Sequence, residues 1–218
     1  GVDEASAMLA GVDFASASQP NYVYYLQDAT EQDDGYSAGA LEAGSIDLTA
    51  QSTILDDPYA DKQWALEAVH AYEAWDYYRS ETAEGEGNPV TVAVIDSGMN
   101  VNHEDFESDR IVGAQTYLTG KSGSDVTDLN GHGTHVAGII AATADNGKGV
   151  AGVSYNARIM PVQVLDENGG TNAATLMKGF KYVADHADEY NVRVVNVSIG
   201  TTAADYENLK DTALTTSI

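Results

Sequence analysis

The plainest pattern along the chain begins near residue 90. Val90 to Ile95 is apolar except for Thr91, and a run of that length suits a strand buried on both faces of a parallel sheet. Ile111 to Leu118, Arg158 to Leu165 and Val192 to Ile199 repeat the strand signature. Helical spacing fills the gaps. One helix is predicted from about His132 to Ala144. In another, Leu176, Met177, Phe180, Val183, Ala184, Ala187 and Tyr190 share a face. A last helix is expected around Ala204 to Ala213, with Tyr206 and Leu209 inward. Ahead of the first strand, Trp64, Leu66, Val69, Ala71 and Trp75 recur near helical spacing until Pro89 breaks the chain. Strands alternating with helices predict an α/β fold: a doubly wound, mostly parallel sheet with helices on both faces.

The N-terminal stretch reads differently. Ala5, Met8 and Leu9 fit one face of a short helix, Val12 and Phe14 alternate as in a strand, and Tyr22 to Leu26 is β-prone. Residues 1–26 therefore read as the end of a small α+β unit. Residues 27–56 mix Asp, Glu, Gln, Ser, Gly and Ala with few large apolar side chains, as a solvated acidic linker does. Residues 57–218 form the main domain.

Charge narrows the function. Lys plus Arg is 10 against 34 Asp plus Glu, a net charge of −24, and no Lys or Arg precedes Lys62. That excludes nucleic acid and anionic membrane surfaces, which need basic contacts. With no cysteine, disulfides, thiolate nucleophiles and Cys-ligated zinc are excluded too. No run of about 18 apolar residues predicts a membrane span. A cysteine-free chain of this charge fits a secreted or cell-surface bacterial protein. Residue 1 is Gly, so the gene product is expected to start upstream.

In open parallel sheets, chemistry sits beyond the carboxyl ends of the strands. Asp96 ends the first strand in Val92-Ala93-Val94-Ile95-Asp96-Ser97-Gly98. A charge directly after a buried run is costly unless paired. The plain alternative is a capping Asp in a tight turn. The second feature is Asn130-Gly131-His132-Gly133-Thr134-His135-Val136-Ala137-Gly138. Glycines lower helix propensity, so their clustering at a helix start calls for close backbone approach. A buried Asp accepting from an imidazole Nδ1–H fixes the tautomer and leaves Nε2 free as a base. The third is Val194-Val195-Asn196-Val197-Ser198-Ile199-Gly200, a strand whose edge can pair with an extended peptide.

Together these stretches resemble the subtilisin-like serine proteases, the subtilases. The first resembles the family's catalytic Asp motif and the second its catalytic His motif. The likeness implies Asp96 as triad acid and His132 as general base, with His135 the second histidine of the helix. Ser198, Ile199 and Gly200 are similar to the strand beside the S1 pocket. Met160 to Leu165 with Gly169, Gly170 and Thr171 resembles the opposite wall of the cleft, and Gln63-Trp64-Ala65-Leu66 the opening of many mature domains. Ala173 falls about where relatives often carry an aromatic lining S4. Asp105 matches a position that binds structural calcium in many subtilases, facing a loop from Ala144 to Val150 into which Lys148 puts a positive charge. Catalysis in the family needs no cofactor. Gly11 to Ala15, followed by Gln19 to Tyr24, resembles the end of an inhibitory propeptide that lies in the cleft. The partners implied are a polypeptide substrate and the chain's own propeptide.

The family's Gly-Thr-Ser-Met-Ala-like nucleophile motif and its oxyanion Asn are not found in residues 1–218. The chain is expected to be the front portion of a subtilase, inactive by itself. Two other readings are a non-catalytic subtilase-like binding or inhibitory module, and a metallohydrolase using Asp96, His132, His135 and Asp105.

Overall fold

Residues 23–26, 55–81 and 89–200 are described by the computed structural model. In chain order the elements are β1 (Val23–Leu26), α1 (Trp64–Ala68), α2 (Ala71–Glu81), β2 (Thr91–Asp96), β3 (Gln115–Thr116), α3 (His132–Ala141), β4 (Arg158–Gln163), β5 (Gly170–Asn172), α4 (Ala173–His186), β6 (Val192–Asn196) and β7 (Ile199–Gly200).

The alternation of side chains along β2 decides the architecture. All six of its residues are buried. Ala93 and Ile95 point to one face, where they join Met160 and Val162 of β4 and Leu176 and Val183 of α4. Val92 and Val94 point to the other, with Ile159 of β4 and Ala137 and Ala141 of α3. Each buried aliphatic contributes about 1.5–3 kcal/mol, so helices are held on both faces. The sheet order is β3-β4-β2-β6, and every pairing in it is parallel. The doubly wound α/β expectation holds. Gly179 lets α4 lie close: a Cβ there would sit 2.9 Å from Val164 Cγ1. Asn172 caps α4 by accepting the Thr175 N–H at 3.0 Å.

Several boundaries differ from the pattern. The stretch from Trp64 to Trp75 is two helices, broken at Val69 and at His70, whose φ is 57°. Leu66, Ala71 and Trp75 pack with Ala151 in a third cluster, while Trp64 and Val69 are 76% and 59% exposed. Between Ile111 and Leu118 only a bridge at Ile111 and the short β3 form. Helix α3 stops at Ala141 and β4 at Gln163. Val194 and Val195, expected inside, are half exposed because β6 is an edge of the sheet among the described residues. The readings for residues 5–14, the linker up to residue 54 and the helix around 204–213 lie outside the described residues. Among the described residues no helix is long and apolar enough to cross a membrane.

Candidate active site

Strand β2 delivers Asp96 to the carboxyl edge of the sheet. Its backbone carbonyl accepts the N–H groups of Val164 at 2.9 Å and Leu165 at 3.2 Å, which locks the strand end to the chain leaving β4. The side chain is fully buried. Oδ1 accepts the Ser97 N–H at 2.7 Å and meets His132 Nδ1 at 2.8 Å. Oδ2 has no partner among the described residues.

His132 opens α3 and is partly exposed, its side chain at 29% against 0% for Asp96. Gly133 follows it, and a Cβ there would lie 2.2 Å from the Gly98 carbonyl oxygen. Only glycine lets the helix start sit this close to the turn after Asp96. In the tautomer whose Nδ1–H donates to Asp96, Nε2 is left as the ring nitrogen without a proton. The structure thus brings together the two residues the sequence singled out.

Asp128 was passed over by the sequence reading. It accepts N–H bonds from Gly131 at 2.8 Å and Thr134 at 2.9 Å, at the ends of the helix start. Burial pushes its carboxyl upward, but hydrogen bonds from Thr134, Gly131 and Ser97 together outweigh burial and hold it below its ordinary value. An acidic residue just ahead of a glycine-rich helix start was the available signal.

A second, three-stranded sheet has the order β5-β1-β7. Strand β1 runs antiparallel to both neighbours: Val23, Tyr24 and Tyr25 face Asn172, Thr171 and Gly170, and Tyr25 and Leu26 face Gly200 and Ile199. Four of the expected cleft residues, Gly170, Thr171, Ile199 and Gly200, therefore flank one strand. Gly169 and Ser198 sit just beyond the paired stretch. The C-terminal end of β1 lies beside Gly170, and the loop before Gly170 is tied to the His132 segment by Asn130 Nδ2 donating to the Glu167 carbonyl at 3.1 Å.

A family model described as the Subtilase family, peptidase S8, matches residues 87–216. The chain belongs to the subtilase family. It is 34% identical to thermitase of Thermoactinomyces vulgaris over 148 residues, 67% of this chain and 48% of that protein. It is 36% identical to the minor extracellular protease Epr of Bacillus subtilis over 162 residues, 74% of this chain and 22% of that protein. It is 35% identical to the major intracellular serine protease of Bacillus subtilis over 139 residues, 62% of this chain and 40% of that protein. The subtilase chain thus spans about half the length, or less, of these curated relatives. These relatives include both an extracellular and an intracellular protease.

The remaining candidates of this subtilase sit apart from the dyad. Asp105 is buried, as is Asp57 at the start of the main domain. Asp105 accepts from Asn146 Nδ2 at 3.1 Å and the Val150 N–H at 2.9 Å. Asp57 accepts the N–H groups of Asp145 at 2.8 Å and Asn146 at 3.1 Å. One loop therefore bridges two buried carboxylates. Lys148 does not neutralise them: its Nζ reaches the Glu104 carbonyl at 3.4 Å. All four carboxylate oxygens of the pair accept hydrogen bonds from that loop. The metallohydrolase grouping does not form. His135 is exposed, and no three His, Asp or Glu side chains among the described residues are placed to share a metal ion. Ala173, expected near S4, is buried at the start of α4 in the core.

Proposed function

We propose that this subtilase chain is the front portion of a secreted or cell-surface serine endopeptidase, with Asp96 and His132 as the acid and base of its Ser-His-Asp triad. The observation that carries the reading is the 2.8 Å contact between His132 Nδ1 and a fully buried Asp96. A polypeptide substrate lies as an antiparallel strand between β5 and β7, as β1 does here. The nucleophilic serine belongs to the part of the enzyme beyond residue 218. Its hydroxyl attacks the scissile carbonyl while His132 Nε2 takes the proton. Asp96 keeps the imidazole oriented and stabilises the imidazolium. His132 then returns the proton to the leaving amine, and water cleaves the acyl-enzyme by the same route. Residues 1–218 alone have no turnover, because the nucleophile motif is not among them.

The test uses the full-length protease with a peptide substrate. Hydrolysis abolished by phenylmethylsulfonyl fluoride and by His132→Ala is expected. Activity that survives His132→Ala would overturn the assignment.

Two further parts belong to the same proposal. Strand β1 is the end of an inhibitory propeptide, which holds the substrate's place until it is cut away downstream of Leu26. Sequencing the mature N-terminus checks this, and a fully active protease still carrying residues 23–26 would sink it. Asp57, Asp105 and carbonyls of the 144–150 loop hold a structural calcium ion, whose charge offsets the two buried carboxylates. The expected result is a melting temperature that falls on chelation and is restored by calcium. An unchanged melting temperature counts against the site.

A further inference from the structure

We infer that Asp128 is a positioning residue: its carboxylate is the common anchor that holds the turn after Asp96 against the start of the His132 helix. The inference rests on the reading of Asp96 and His132 as acid and base.

Two hydroxyl relays cross between the turn and the helix, and both end on Asp128. In the first, the Gly133 N–H of the helix donates to Ser97 Oγ of the turn at 2.9 Å, and Ser97 Oγ donates to Asp128 Oδ1 at 2.9 Å. In the second, the Asn100 N–H of the turn donates to Thr134 Oγ1 of the helix at 2.9 Å, and Thr134 Oγ1 donates to Asp128 Oδ2 at 2.6 Å. Each oxygen of the carboxylate thus terminates one relay, and each hydroxyl is used both as acceptor and as donor. The Thr134 N–H also donates to Oδ2 at 2.9 Å. The Gly131 and Asn130 N–H groups donate to Oδ1 at 2.8 and 3.1 Å.

The consequence follows from what each hydroxyl needs. Without an anionic acceptor, the Ser97 and Thr134 hydroxyls are free to rotate, and the Gly133 and Asn100 N–H groups lose acceptors held in a fixed direction. Turn and helix are far apart in sequence: Ser97 and Asp128 are separated by 31 residues and Asp96 and His132 by 36. The His132–Asp96 bond would then have to hold the geometry that it depends on. The charge of Asp128 is kept at neutral pH by the same hydrogen bonds, and an anion at a helix N-terminus is favourable. A helix cap alone would explain the bonds to Gly131 and Thr134. It would not explain why Ser97 and Asn100, both on the other segment, are tied into the same carboxylate.

The experiment compares Asp128→Asn, Thr134→Val and Thr134→Ser with the wild type in the full-length protease. The readouts are kcat and KM on a peptide substrate, the low-field proton resonance of His132 Nδ1–H, and melting temperature. Asp128→Asn is expected to lower kcat by about 10–100-fold with KM within about threefold, and to shift or broaden the Nδ1–H resonance. Thr134→Val cuts one relay and is expected to lower kcat less, while Thr134→Ser keeps the hydroxyl and restores it. A variant that melts earlier but keeps both kcat and the Nδ1–H resonance would show a purely structural cap and overturn the inference. If Asp128→Asn does not fold, the threonine pair decides: equal kcat and equal resonances for Val and Ser also overturn it. A wild type without peptidase activity defeats the functional reading instead, and the resonance comparison still decides the role of Asp128.

Discussion

Replacing Gly133 with alanine asks whether backbone contact sets the geometry of the dyad. The added Cβ would stand 2.2 Å from the Gly98 carbonyl oxygen and 3.2 Å from Asp96 Cβ. The first of these atoms is backbone and cannot swing aside, so helix and turn have to part by about 1 Å. The Gly133 N–H bond to Ser97 Oγ and the His132 bond to Asp96 cross the same gap, at 2.9 and 2.8 Å. Lengthened by about 1 Å, both pass out of hydrogen-bond range. Alanine gains about 1 kcal/mol of helix propensity over glycine. Overpacking costs about 1–3 kcal/mol, and the two lost bonds about 0.5–1.5 kcal/mol each. The balance is a net loss of about 1–5 kcal/mol. With Asp96 and His132 acting as proposed above, a misplacement of this size costs about 10²-fold in kcat. The assay is urea unfolding and steady-state kinetics of the full-length protease carrying Gly133→Ala. A variant as stable as wild type, with kcat within about threefold, would refute the reasoning.

Other substitutions probe the frame around the site. Gly179→Ala meets side chains rather than backbone, with Val164 Cγ1 at 2.9 Å and Ile95 Cγ2 at 3.4 Å. These can yield, so the loss is expected at about 0–2 kcal/mol; a loss beyond that in urea unfolding would show a stiffer helix–sheet contact than argued. Trp75 is buried and its Nε1–H donates to the Val153 carbonyl at 2.8 Å. Trp75→Phe should cost about 1–3 kcal/mol and Trp75→Ala about 3–5 kcal/mol, and equal urea midpoints for the two would contradict the packing assigned to the ring. Asp128 predicts a pH effect. Because its folded carboxyl titrates below the ordinary value, its contribution is present above that ordinary value, near pH 4, and is lost as pH falls through the lowered one. Melting temperature should therefore drop more steeply below about pH 4 in the wild type than in Asp128→Asn; parallel curves would count against it.

The dyad was legible because each partner sits in a local signature. An apolar run ending in Asp-Ser-Gly announces a buried strand with a charge at its end, and glycines around His132 announce close approach at a helix start. Periodicity also identified Leu66, Ala71 and Trp75 as inward. It failed for Trp64, which stands two residues from buried Leu66 in the same helix and so on the opposite face, and for Val69, which lies past the helix end at the break before His70. Asp105 was legible as an acid near a loop, but its pairing with Asp57 through Asn146 spans residues far apart in the chain.

By itself, the order of apolar, glycine and charged residues determined that β2 would be buried on both faces and that Asp96 and His132 would stand at the ends of their elements. Those are properties of adjacent residues, and local sterics and burial suffice to specify them. Only the tertiary structure decided that Asp128 ties the Asp96 turn to the His132 helix, and in what register β1 pairs with β5 and β7. Hydrogen bonds between segments dozens of residues apart depend on where the packed sheet brings those segments, and local patterning carries no record of that distance.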